Sequence, residues 1–242
     1  MTIKIFRFKS NRSVWLSAFA AIALLSACQP APKPQLPAVQ PPAQKHIHAK
    51  RYAIDTAGST IVLRVYRDGP LARFGHNHVI AVTQLQGTVF REPDILQSEV
   101  ELSFPAAGLS VDVPADRAAA GADFPGALPP EAIAGTRQHM LGPQLLAAEQ
   151  YPQIALRSVA VSGQWPELQL LVEIQLRKFV SQIVLPVHMT EAENTLIADG
   201  VTKLSQVQLG LTPYSVLGGG LRVSDTIDVQ FHIVAVLAAQ KQ

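Results

Sequence analysis

The chain has 242 residues, 48% of them apolar, with 20 Lys+Arg against 18 Asp+Glu for a formal charge of +2. This near balance offers no electrostatic footprint for nucleic acid, and the length suits one domain with a large interior. A single cysteine excludes an internal disulfide framework, so the domain must be held by its core.

Residues 1–27 read as an export signal. Lys4, Arg7, Lys9 and Arg12 form a basic start with no acidic residue before Cys28, and Val14 to Leu25 is an apolar run of 12 residues. A membrane span needs roughly 20 apolar residues, so the run is a targeting segment and not an anchor helix. Leu25-Ser26-Ala27-Cys28 resembles a lipobox, which implies that Cys28 is acylated and becomes the new N-terminus. Loss of four basic residues takes Lys+Arg from 20 to 16 against 18 acids, a charge of −2. With its sulfur acylated, Cys28 supplies no thiolate ligand and no nucleophile.

Residues 28–50 form a linker holding Pro30, Pro32, Pro34, Pro37, Pro41 and Pro42. So many prolines exclude a helix or an inner strand and give semi-rigid extended chain, about 3.1 Å per residue and roughly 65 Å in all. His46 and His48, beside Lys45, Lys50 and Arg51, are expected to be solvated.

A domain over residues 51–240 follows, dominated by period-two alternation. Ile61, Leu63 and Val65 alternate with Val62, Arg64 and Tyr66. Gly69 to Phe74 suggests one helical turn, and Val79–Val82 with Leu85–Phe90 continues the strands. Val100, Leu102 and Phe104 alternate with Glu99, Glu101 and Ser103. The helical signal is otherwise confined to Ala115–Ala148, with short helices expected at Glu131–Leu141 and Pro143–Ala148. Strands are expected again from Ile154, with one slip near Val159 that suggests a bulge. Leu168–Leu176, Ile183–Met189, Leu204–Leu211 and Ile227–Ile233 complete about eight. The fold class is all-β with a small helical insertion. An eight-stranded antiparallel barrel and a two-sheet sandwich bury the same residues, and periodicity does not separate them.

Several segments resemble YceI-like domains. Tyr52-Ala53-Ile54-Asp55 and Ser59–Tyr66 are similar to the family's opening. Thr136-Arg137-Gln138-His139-Met140, Leu145-Leu146 and Tyr151-Pro152 resemble its Arg-X-His segment, short helices and approach to the next strand. Gly210-Leu211-Thr212-Pro213-Tyr214 and Asp225–Val229 are similar to its last loop and closing strand. The resemblance covers Tyr52 to Ala238 and implies an eight-stranded lipocalin-like barrel that binds polyisoprenoid lipid. Three departures stand out: Leu176–Ser181 lacks the family's turn glycine, Val113–Pro130 is an unusual insertion, and Arg73-Phe74-Gly75-His76-Asn77-His78 marks a separate branch.

The candidate ligand-binding residues are Arg73, Phe74, His76, His78, Phe104, Arg137 and His139. His76 and His78, two apart in extended chain, face one side. They either orient a ligand head group at the barrel mouth or ligate a metal or haem iron, with His139 as third ligand by family position. Arg137 either meets the oxygenated end of a lipid or pairs with Glu131 or Asp123. His188 and His232 are expected to be exposed or singly satisfied. Ser215 and Gly218–Gly220 lack nucleophile-elbow spacing and read as a hairpin loop. No catalytic residue set is legible, so the chain is read as a non-enzyme without a required cofactor. The leading expectation is a lipoprotein of the periplasmic face, on the outer membrane by its Gln29. Its barrel would bind an isoprenoid or quinone-like lipid for transport or sequestration. The alternatives are a metal- or haem-binding redox accessory using His76 and His78, and a ligand-free envelope stress or assembly factor.

Overall fold

The computed structural model describes residue 46 and residues 48–239. Cys28, the signal-like segment and the prolines of the linker lie outside the described residues. The strands are β1 (Lys50–Ile54), β2 (Thr60–Asp68), β3 (His78–Val82), β4 (Gln86–Arg91), β5 (Glu99–Pro105), β6 (Leu109–Val111), β7 (Gln153–Gln164), β8 (Glu167–Leu176), β9 (Phe179–Ala192), β10 (Thr195–Ser205), β11 (Ser215–Val216) and β12 (Leu221–Leu237). Two helices, α1 (Pro114–Ala119) and α2 (Pro130–Leu141), fall between β6 and β7.

Every ladder is antiparallel, and pairing of β1 with β12 closes the sheet. The first six strands are halves of three kinked ones. β12 holds β2 over Arg222–His232 and β1 over Ala235–Leu237, so β1 and β2 run end to end along one partner. β4 and β3 pair with β1 and β2, and β5 and β6 pair with β4 and β3. Counted that way, the barrel has eight antiparallel strands in up-and-down order, and the sandwich alternative is excluded. Alternation is the cause: an odd-numbered inward set on β9 and on β12 leaves the even positions outside.

The slip near Val159 is a register shift between Ser158 and Ala160 in the β7–β8 ladder. Two expectations fail. The strand placed at Leu204–Leu211 runs from Thr195 to Ser205. Its inward positions include Ala198, Gly200 and Thr202, which carry little hydrophobic signal. The helix expected over Pro143–Ala148 is a set of turns, because Ala147 adopts φ 48° and its N–H bonds back to Gly142 O.

One pole of the barrel, where β1 starts and β12 ends, is filled by Tyr52, Leu196 and Ala235 with Ile54, Val89 and Leu237. His46 is not solvated: it stacks on Phe90 at 4.3 Å and lies 3.4 Å from Glu92 and 3.3 Å from Glu99. The end of the linker therefore packs back on this floor pole. Among the described residues no helix is long and apolar enough to cross a membrane.

Candidate functional site: an apolar cavity and its mouth

Above the floor the barrel is hollow. The inward side chains of β2, β5, β8 and β12, including Leu63, Leu102, Phe104, Val172, Val229 and Phe231, enclose about 580 Å³. That lies within the range of about 300–1,000 Å³ typical of small-molecule pockets. The wall is aliphatic, with few aromatic rings. Two small residues help to keep space open: Gly200 lies under the Phe231 ring and Ala198 faces Ile233.

Polar side chains gather at the opposite pole, the mouth, where Phe74, His76, His78, His139 and Tyr214 line the cavity. The His76 and His78 rings lie edge to face, centroids 6.4 Å apart, and the His139 ring lies against Tyr214 at 4.6 Å, tilted by 36°. His78 is not free to act alone. Its Nδ1 lies 2.6 Å from Asp112 Oδ2, and the Asp112 side chain is fully buried. Asp112 also accepts from Val79 N–H at 2.9 Å and from Arg117 at 2.6 Å. Burial pushes this carboxyl up, but hydrogen bonds from His78, Val79 N–H and Arg117, with the His78 charge, hold it below the ordinary range. As a carboxylate it only accepts, so His78 Nδ1 carries the proton between them.

Arg117, itself buried, extends the network. It donates to Asn77 O at 2.8 Å and to Gly126 O at 2.9 Å. Asn77 accepts from Arg67 N–H and donates to Asp123 O. The unusual motif and the unusual insertion are thus parts of one device. Arg117 clasps residues 113–130 to the Gly75–His78 segment, and Phe124 from the insertion lies against Tyr66, centroids 5.5 Å apart.

Of the seven residues singled out from sequence, Phe74, His76, His78, Phe104 and His139 line the cavity. Arg73 lies outside, over the Phe74 ring at 4.6 Å. Arg137 pairs with neither Glu131 nor Asp123; it donates to the carbonyls of Leu109 and Ala107, pinning α2 to β6. Among the described residues no group of three or more His, Cys, Asp or Glu could hold a metal ion. His188 and His232 are partly exposed and pair with Glu167 and Asp199, each at 2.6 Å. Sequence reading missed Asp112 and Arg117. The available signal was an aspartate between two valines at the end of a strand, at φ 53°, a conformation that Asp tolerates.

A family model described as a YceI-like domain matches residues 52–235. No curated protein matches. Among solved structures, Burkholderia cenocepacia BcnA is similar with a TM-score of 0.55 at 15% identity, covering 76% of this chain and 99% of its own. A polyisoprenoid binding domain from Saccharophagus degradans, implicated in plant cell wall breakdown, has a TM-score of 0.50 at 10% identity. That alignment covers 79% of this chain and 100% of that domain.

Proposed function

Because the chain belongs to the YceI-like domain family, we propose that its barrel takes up the hydrocarbon tail of an amphiphilic lipid of the isoprenoid or quinone class. The observation that carries this reading is the division of the cavity into an aliphatic shaft and a polar mouth. A buried CH₂ contributes about 0.8 kcal/mol, so ten contribute roughly 8 kcal/mol before ordering costs. That is ample for a long tail without a strong polar anchor. His76, His139 and Tyr214 offer donors and acceptors to an oxygenated head. The polyisoprenoid-binding neighbour supports the same class of ligand.

Around this site we read a tethered envelope lipoprotein, acylated at Cys28 and held on the periplasmic face: a carrier that desolvates a tail for transport or sequestration and makes no covalent change. The test is extraction of lipid from the purified protein with mass spectrometry, followed by titration of the stripped protein with a fluorescent polyprenol. Co-purified isoprenoid, or saturable binding that Ala198→Trp abolishes by filling the shaft, is the expected result. A stripped barrel that takes up no polyprenol overturns the reading.

A further inference from the structure

The exposed large apolar side chains are unevenly spread: Leu96, Trp165 and Val236 lie singly toward the floor pole, and a larger group gathers at the other end. Phe74, Phe179, Val180, Val207, Tyr214 and Leu217 all stand at the mouth pole, with Phe74 63%, Val180 61% and Leu217 70% exposed. They come from separate parts of the chain: the turn after β2, the β8–β9 hairpin, and the loop from β10 to β12. Exposed apolar groups gathered on one face mark an interaction surface, whereas single ones need no explanation.

Two of the tips share a design. Arg73 lies over the Phe74 ring at 4.6 Å, and Lys178 lies over the Phe179 ring at 5.6 Å. Neither cation forms an ion pair among the described residues, whereas rim residue Arg222 is taken up by Asp68 at 2.8 Å. The long connection from Gln206 to Leu221 carries no charged residue. An aromatic ring beside an unpaired cation, repeated on two loops around an uncharged one, matches the chemistry of a bilayer interface.

The barrel wall changes on the same side. The β9–β10 ladder runs only from Thr195↔Ala192 to Asp199↔His188, and beyond it the mouthward halves of β9 and β10 are unpaired with each other. Pro186, with no N–H to donate, sits where the ladder stops. Outward-facing Val184 and Val201 flank this seam, 55% and 65% exposed.

We propose that the mouth rim and the β9–β10 seam dock on a phospholipid bilayer carrying anionic headgroups. The aromatic and aliphatic tips enter the interface, and Arg73 and Lys178 meet phosphates. The cavity then opens onto lipid and not onto water, and the seam offers a sideways path for a tail. The inference stands on the rim and the seam, so it survives or fails independently of which lipid the cavity holds.

The test uses the full chain with Cys28→Ser, which removes the native thiol, and an environment-sensitive fluorophore on an introduced cysteine. Leu217→Cys and Val184→Cys report the proposed face; Gln97→Cys, exposed at the floor pole, is the control. Vesicles of phosphatidylcholine with phosphatidylglycerol should shift emission to the blue at Leu217→Cys and Val184→Cys and leave Gln97→Cys in water. Lys178→Gln should require about fivefold more anionic vesicle for the same shift, from about 1 kcal/mol per basic residue. Phe179→Ser should require at least about tenfold more. Labels that stay in water at Leu217 and Val184 overturn the proposal and leave the rim to a protein partner. An equal shift at all three positions overturns it too, since adsorption would then have no preferred face.

Discussion

Replacing Arg117 by Met tests the clasp between the insertion and the mouth. The substitution leaves the Asp112 carboxylate in a site with no solvent contact and removes the donor 2.6 Å from its Oδ1. It also strips Asn77 O and Gly126 O of their charged donor. Breaking one side of a buried ion pair costs about 3–5 kcal/mol. The cost should fall near about 3 kcal/mol, because His78 and Val79 N–H still hold Asp112. At about 2–4 °C per kcal/mol for a domain of this size, Tm should drop on the order of 10 °C. The informative step is the double variant. Asp112→Asn is destabilising alone, but in the Arg117→Met background it removes the uncompensated charge. It keeps an acceptor for Val79 N–H and a residue type that accepts the left-handed backbone, so it should restore at least about 1 kcal/mol. Urea and thermal unfolding followed by circular dichroism measure all four proteins. A loss below about 1 kcal/mol for Arg117→Met, or an Asp112→Asn effect of the same sign in both backgrounds, refutes the reasoning.

Three further outcomes are expected. Leu196→Ala, in the floor cluster at 2% exposure, should cost about 2–5 kcal/mol in urea unfolding. Gly200→Val would bring a Cβ within 2.3 Å of Phe231 Cζ and 2.6 Å of Pro186 O; it should cost about 1–3 kcal/mol and, by displacing the ring into the shaft, weaken polyprenol binding. On acidification, Asp112 makes its contribution visible: its folded value lies below its unfolded one, so its stabilisation is complete above about pH 4 and fades as pH falls through the folded value. The urea midpoint of the wild type should therefore fall more steeply below about pH 4 than that of Asp112→Asn.

The barrel was legible because each long strand buries one face. Val100, Leu102 and Phe104 alternate in the sequence and line the cavity in the structure. Legibility failed where space, and not side-chain bulk, does the work. β10 turns Ala198, Gly200 and Thr202 inward because Phe231 and Ile233 from β12 fill the room beside them. An alternation of small residues leaves no hydrophobic period to read. β6 is three residues long, too short for any pattern, and is recognised only by its pairing with β3. At the mouth, His76, His78 and His139 were conspicuous as residue types. What fixes them was not, since Asp112 meets its partners 33 to 34 residues upstream as well as Arg117 five residues on. Arg137 illustrates the same limit: a guanidinium in a helix suggests a carboxylate partner, yet the backbone carbonyls of Ala107 and Leu109, beside the β5–β6 break, take it.

The closure of the sheet sets an order of events. Tyr52 faces Leu237 across the final ladder, so the first strand made waits for the last. Until the C-terminal segment is delivered, the nascent chain carries an oily trough with an open edge, and contacts this distant in sequence form slowly. A chain released segment by segment would meet that hazard in full, because the edges of its sheet stay unpaired until β12 arrives.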